Sequence, residues 1–146
     1  MTHPFDGVDL RAEPGRYQIG RGEFGVFHAE PYKGELLPLW TIVDVDSAQG
    51  SIRAIVARFD GYKAQADFVG MDMARKYLQM GFTRASRYAN HPGGRKRAAD
   101  GTPLPAGPSD PVKAAVASLY RAAWRSTATD PEYVRLKAAF QRGRAR

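Results

Sequence analysis

From about Ala66 to Ala89 apolar residues recur at helical spacing, over a stretch longer than any ordinary strand. At a step of about 100° per residue, Met73, Ala74, Tyr77, Leu78, Met80, Phe82, Ala85, Tyr88 and Ala89 share one broad arc. This predicts a long helix whose apolar arc faces a core, and Pro92, Gly93 and Gly94 stop it. The opposite arc collects Asp72, Arg75, Lys76, Gln79, Thr83, Ser86, Arg87 and Asn90, a stripe of donors expected to face water or a ligand. Arg84 falls between Met73, Tyr77, Met80 and Tyr88, so its guanidinium must snorkel to water or find an acidic, carbonyl or anionic partner. A break at Gly81 would rotate Arg84 relative to Tyr77.

The same segment carries the charge. No acidic residue occurs between Met73 and Ala99, whereas Arg75, Lys76, Arg84, Arg87, Arg95, Lys96 and Arg97 all do. These cations account for the whole formal surplus of +7, and clustered cations attract phosphate-bearing partners. The loop from Asn90 to Arg97 places Gly93-Gly94 before three consecutive cations, a composition suited to wrapping a phosphate backbone and equally to a solvated loop. Cations there also complement the helix dipole without any ligand. The tail from Gln141 to Arg146 extends the basic character.

With 146 residues, 43% hydrophobic and 11% aromatic, the chain is predicted to fold unaided around a single core. The absence of cysteine excludes disulfides, thiolate catalysis and cysteine-ligated metal centres, and it is compatible with a reducing cytoplasm. Met1-Thr2-His3-Pro4-Phe5-Asp6 has neither the basic start nor the apolar run of a secretory signal. No segment approaches the roughly 20 apolar residues of a membrane-spanning helix. A cytoplasmic protein with no membrane partner is expected.

Residues 1–15 read as an irregular N-terminal arm and 16–146 as one globular domain. Tyr17, Ile19, Phe24, Val26 and His28 alternate around Gly20-Arg21-Gly22, which predicts a hairpin, and Leu36 to Val43 reads as a third strand with Pro38 at its start or on an edge. Ile52, Ile55, Val56 and Phe59 predict a helix capped by Asp46 or Ser47 and ended by Gly61. Asp110-Pro111 and Asp130-Pro131 are two further helix starts. The expected fold class is α+β, a small antiparallel sheet packed against about four helices.

Enzyme chemistry finds little support. His3, His28 and His91 show no metal-ligand spacing, the serines lie in no nucleophile-elbow context, and no cofactor is expected. Asp44 and Asp46 alternate as a magnesium-binding pair would, with Glu23 and Asp72 as further ligands, but helix capping explains that spacing equally well. Ile19 to Val26 is similar to the glycine-rich phosphate loop of protein kinases. No His-Arg-Asp follows it and Asp67-Phe68-Val69-Gly70 is not Asp-Phe-Gly, so a tight glycine turn is the better reading.

A wider pattern comprises Gly20-Arg21-Gly22-Glu23, Glu30-Pro31-Tyr32-Lys33, Asp67 to Lys76, Leu78 to Arg84, Arg87-Tyr88-Ala89-Asn90-His91 and Asp130-Pro131-Glu132-Tyr133. It resembles domain-of-unknown-function family 4385, a family of small bacterial and phage proteins. The resemblance implies a complete protein of its kind and supplies no mechanism. The expected function is nucleic-acid binding, DNA or RNA, with Lys76, Arg84, Arg87, Arg95, Lys96 and Arg97 on phosphates and Tyr88 or His91 stacking on a base. An alternative is an enzyme or sensor for a small phosphorylated or anionic ligand, held by Arg21, Glu23, Tyr32, Lys33, Asp72, Lys76, Thr83 and Arg87. A third is a protein-interaction module, including a homodimer joined through the basic stripe.

Overall fold

Aspartates mark the helix starts. In the computed structural model, which describes residues 3–91, 97–103 and 110–144, Asp44 caps α2 (Val45–Ala64) by accepting from the Ser47 N–H. Asp67 caps α3 (Phe68–Asn90) through the Gly70 N–H, and Asp110 caps α4 (Pro111–Ala128) through Val112 and Lys113. Asp130 accepts from Glu132 and Tyr133 at the start of α5 (Pro131–Arg144). A short helix, α1 (Tyr32–Leu36), precedes them. The Asp-Pro starts fall where the sequence places them. In contrast, the cap of α2 is Asp44, two residues before Asp46, and the helix runs through Gly61 to Ala64.

The expected α+β class is overturned: the described residues contain five α-helices and no β-strand, only an isolated bridge between Arg97 and Pro103. The segment read as a hairpin forms successive turns, with Phe24 N donating to Arg21 O, Val26 N to Glu23 O and His28 N to Gly25 O. Left-handed backbone at Gly20 (φ 66°) and Gly25 (φ 84°) curls the chain before strands can pair. At Gly25 a side chain would also strike the Phe5 ring, because a Cβ there would lie 2.5 Å from it.

The expected third strand is instead the end of α1, a 3-10 turn at Leu37–Leu39 and an irregular run from Trp40 to Val43. Pro38 suits the first turn of that 3-10 segment. Side chains then take up carbonyls that a neighbouring strand would have paired: Tyr120 Oη donates to Thr41 O at 2.8 Å, and Lys113 Nζ to Ile42 O at 2.7 Å.

Helix α3 is central. It packs on α4, α2, α5 and α1, and every residue from Phe68 to Ala74 is buried. Phe5, Val8, Leu10 and Tyr17 of the irregular N-terminal segment join the same core. The first half of α3 is therefore enclosed on all sides, including the arc that carries Asp72 and Lys76. Its second half emerges, with Arg84, Arg87, Tyr88 and Asn90 exposed.

Candidate functional site

The two halves of α3 place its charges in opposite environments. In the enclosed half, Asp72 accepts hydrogen bonds from Tyr17 Oη, from Tyr133 Oη at 2.6 Å and from Arg75 Nε at 2.8 Å. The Lys76 ammonium lies 3.8 Å from Asp72 and donates to Phe24 O at 2.8 Å and to Ile19 O. Burial pushes the Asp72 carboxyl up, yet Arg75, Lys76 and the two tyrosine hydroxyls together hold it below its ordinary value. Burial pushes Lys76 down to about 8, against the pull of Asp72 and with the charge of Arg75 adding to the effect. Both residues have 0% exposure, so neither meets a ligand from solvent. Their arrangement neutralises charge inside the molecule.

The emerging half is different. Arg84, Arg87 and Tyr88 stand at i, i+3 and i+4, which places them on one helical face, and His91 follows as the C-cap of α3. The Arg84 guanidinium lies over the Phe27 ring at 5.5 Å, and Lys113 Nζ stands 5.8 Å from the Tyr88 ring centre. Phe27 and Tyr88 are 40% and 42% exposed, large values for aromatics, so both rings offer a face or edge to solvent. Among the described residues neither Arg84 nor Arg87 has a carboxylate within ion-pairing distance.

Arg84 and Arg87 line one flank of a cleft of about 530 Å³ that also contains Glu23, Thr83, Asn90 and His91. Thr83 Oγ1 lies 3.2 Å from each carboxylate oxygen of Glu23, tethering it to α3. His91 Nδ1 is buried without a partner among the described residues. A concave wall with two guanidiniums, an imidazole, an amide and a carboxylate can hold an anionic group and accept hydrogen bonds from its neighbouring hydroxyls.

Of the residues expected to contact phosphates, the structure brings Arg84, Arg87 and His91 together in the cleft, sets Tyr88 outside its lining with its ring by Lys113 of α4, and buries Lys76. Arg97 is exposed and donates to Gly101 O at 3.1 Å, while Arg95 and Lys96 lie outside the described residues. The alternative ligand set divides. Glu23, Thr83 and Arg87 share the cleft, Asp72 and Lys76 are enclosed, and Tyr32 is buried with its hydroxyl donating to Asp67 at 2.7 Å. Lys33 lines a separate cleft beside Asp6 and His28, and Arg21 stands exposed in the glycine turns. Phe27 and Lys113 were not singled out by sequence. Phe27 lies in the misread hairpin, and Lys113 is one cation in an otherwise ordinary helical turn.

Of the two readings of Asp44 and Asp46, helix capping is the one the structure shows, with Asp44 and not Asp46 as the cap and Asp46 in the first turn of α2. His3 and His28 stack with ring centres 4.0 Å apart and His28 Nδ1 3.2 Å from Asp6, but the described residues hold no cluster suited to a metal ion. None of their helices is long and apolar enough to cross a membrane.

Fold and site define a small helical protein whose central helix is enclosed for half its length and then carries exposed arginines, without carboxylate partners among the described residues, beside exposed aromatic rings. The chain belongs to the family described as domain of unknown function (DUF4385), whose model matches residues 1–143. No curated protein and no solved structure matches it.

Proposed function

We propose that the protein binds nucleic acid through the emerging half of α3, with Arg84 and Arg87 on backbone phosphates and Tyr88 stacking on an unpaired base. The observation that carries this reading is the grouping, on one helical face, of an exposed tyrosine and two arginines that have no carboxylate partner among the described residues. Phosphates supply most of the affinity in such interfaces, and aromatic rings bind single-stranded bases with little regard to sequence. Arg97 and the basic stretch before it extend the same surplus of charge. The reading also takes the protein to be a bacterial or phage one acting in the cytoplasm, in keeping with its sequence resemblance and cysteine-free composition.

Fluorescence anisotropy with labelled single-stranded oligonucleotides at low ionic strength tests it. Binding is expected for the wild-type protein, and the double variant Arg84→Gln/Arg87→Gln should bind at least about tenfold more weakly. Tyr88→Ala should cost about 1–3 kcal/mol of binding. Both variants alter exposed side chains, so far-UV circular dichroism should remain that of the wild type. Undiminished binding by the double variant would reject the proposal.

The concavity of the Glu23 to His91 cleft favours a second reading, a small phosphorylated ligand held there as a discrete molecule. Thermal-shift screening against nucleotides and sugar phosphates separates the two. A shift with a free nucleotide and no oligonucleotide binding would select the second.

A further inference from the structure

We infer that Glu23 makes the cleft selective for ribose, so that the protein prefers single-stranded RNA to DNA of the same sequence. This rests on the nucleic-acid reading above and assigns the sugar it recognises. A carboxylate beside two phosphate-binding arginines is unfavourable for a purely anion-binding surface, since it repels the group the arginines attract. Its position is nevertheless fixed. The Thr83 hydroxyl, one turn before Arg87 on the same helix, lies 3.2 Å from both Glu23 oxygens, and the turn-forming segment that carries Glu23 is itself anchored by Lys76, which donates to the carbonyls of Ile19 and Phe24.

The Thr83 hydroxyl has one proton to donate, and Met80 O lies at the same 3.2 Å as the Glu23 oxygens, so at least three of the four lone-pair sites on the carboxylate receive no proton from Thr83. Among the described residues no cation lies within ion-pairing distance to use them. What suits those sites is a hydroxyl donor located next to a phosphate. The ribose 2′-hydroxyl meets that description, because it adjoins the phosphodiester at the neighbouring 3′ position and can donate to an acceptor fixed beside a phosphate site. Deoxyribose brings the same phosphate charge but no donor, and so leaves the carboxylate facing an anion with nothing to offset the repulsion. Sites built around an acceptor of this kind discriminate strongly against an analogue lacking the hydroxyl, because the buried polar group loses its partner. Partial exposure of Glu23 limits the effect here to a moderate one.

The test compares fluorescence anisotropy of one labelled single-stranded sequence as RNA and as DNA at equal ionic strength, with the full chain and its Glu23→Ala variant. Wild-type protein should bind the RNA about tenfold more tightly. Glu23→Ala should lose that preference to within about twofold, and it should do so partly by binding DNA about threefold better, as expected when a repelling charge is removed. Gain of DNA affinity is an outcome that misfolding does not produce. Equal affinities in the wild type, or an RNA preference that survives Glu23→Ala, would overturn the assignment while leaving nucleic-acid binding intact. Failure to bind either oligonucleotide would overturn the nucleic-acid reading, and this assignment with it.

Discussion

Asp72 accepts from two tyrosine hydroxyls and a guanidinium in a part of the core where it is fully buried, which makes it the counter-charge for both Arg75 and Lys76. Asp72→Asn preserves shape and removes charge, leaving two cations without a compensating anion. Loss of one partner from a buried ion cluster costs about 3–5 kcal/mol, so the urea midpoint should fall sharply. The cluster also sets a pH dependence. Lys76 is held at about 8 in the folded chain, against its ordinary 10.5. Between those values the unfolded chain keeps a proton that the folded chain has released, so this residue makes stability rise with pH, by up to about 1.4 kcal/mol per unit. Burial and the Asp72 charge raise Tyr17 and Tyr133 above their ordinary 10.0. Their contribution is present below that value and is lost as pH climbs beyond it. Stability should therefore climb from about pH 8 and peak near pH 10, and Lys76→Met should abolish the climb, as followed by urea unfolding from about pH 7 to 11.

At the scale of elements, α3 and α4 approach at Gly81, where a Cβ would lie 2.2 Å from the buried Tyr120 ring. Alanine is the better helix former by roughly 1 kcal/mol, but overpacking a buried ring costs about 1–3 kcal/mol. Gly81→Ala should accordingly lower stability by up to about 2 kcal/mol in urea unfolding. Gly61 lies inside α2 with nothing within 4 Å of its would-be Cβ, so Gly61→Ala should raise stability by about 0.5–1 kcal/mol. Helices α4 and α5 were legible because their Asp-Pro caps are local and need no distant partner to act, and α2 and α3 because of their apolar period, although the cap of α2 is Asp44 and not Asp46 or Ser47. The segment from Tyr17 to Val43 was misread because its alternating apolar residues reflect repeated turns laid on α3, and its free carbonyls are paired by side chains far along the chain, such as Tyr120 Oη on Thr41 O and Lys76 Nζ on Phe24 O. The same tertiary effect exchanged the roles of Lys76 and Arg84. A helical wheel assumes one buried arc along the whole helix, whereas α3 is enclosed first and exposed later, so Lys76 is internal and Arg84 reaches the surface.

Across the whole molecule, 22 lysines and arginines face 15 acids, but cations of the same helix contribute to different properties. Arg75 and Lys76 are neutralised inside, while Arg84 and Arg87 carry charge to the surface without a carboxylate partner among the described residues. Salt should separate these roles, because buried pairs are screened far less than exposed charges. Raising potassium chloride from about 50 to about 500 mM should move the unfolding free energy by less than about 0.5 kcal/mol as the core cluster responds to ionic strength. Over the same range, single-stranded oligonucleotide binding through two or three phosphates should weaken about 25- to 125-fold, from a slope near −0.7 per phosphate. Arg84→Gln/Arg87→Gln should flatten that slope by about 1.4, whereas Tyr88→Ala should lower affinity with the slope intact, since a stacked ring releases no counterions. Anisotropy titrations at four salt concentrations, paired with urea unfolding in the same buffers, measure both responses. An affinity insensitive to salt would remove phosphates from the interface, and a loss of folding stability parallel to the loss of binding would move the relevant charges from the exposed face of α3 back into its enclosed half.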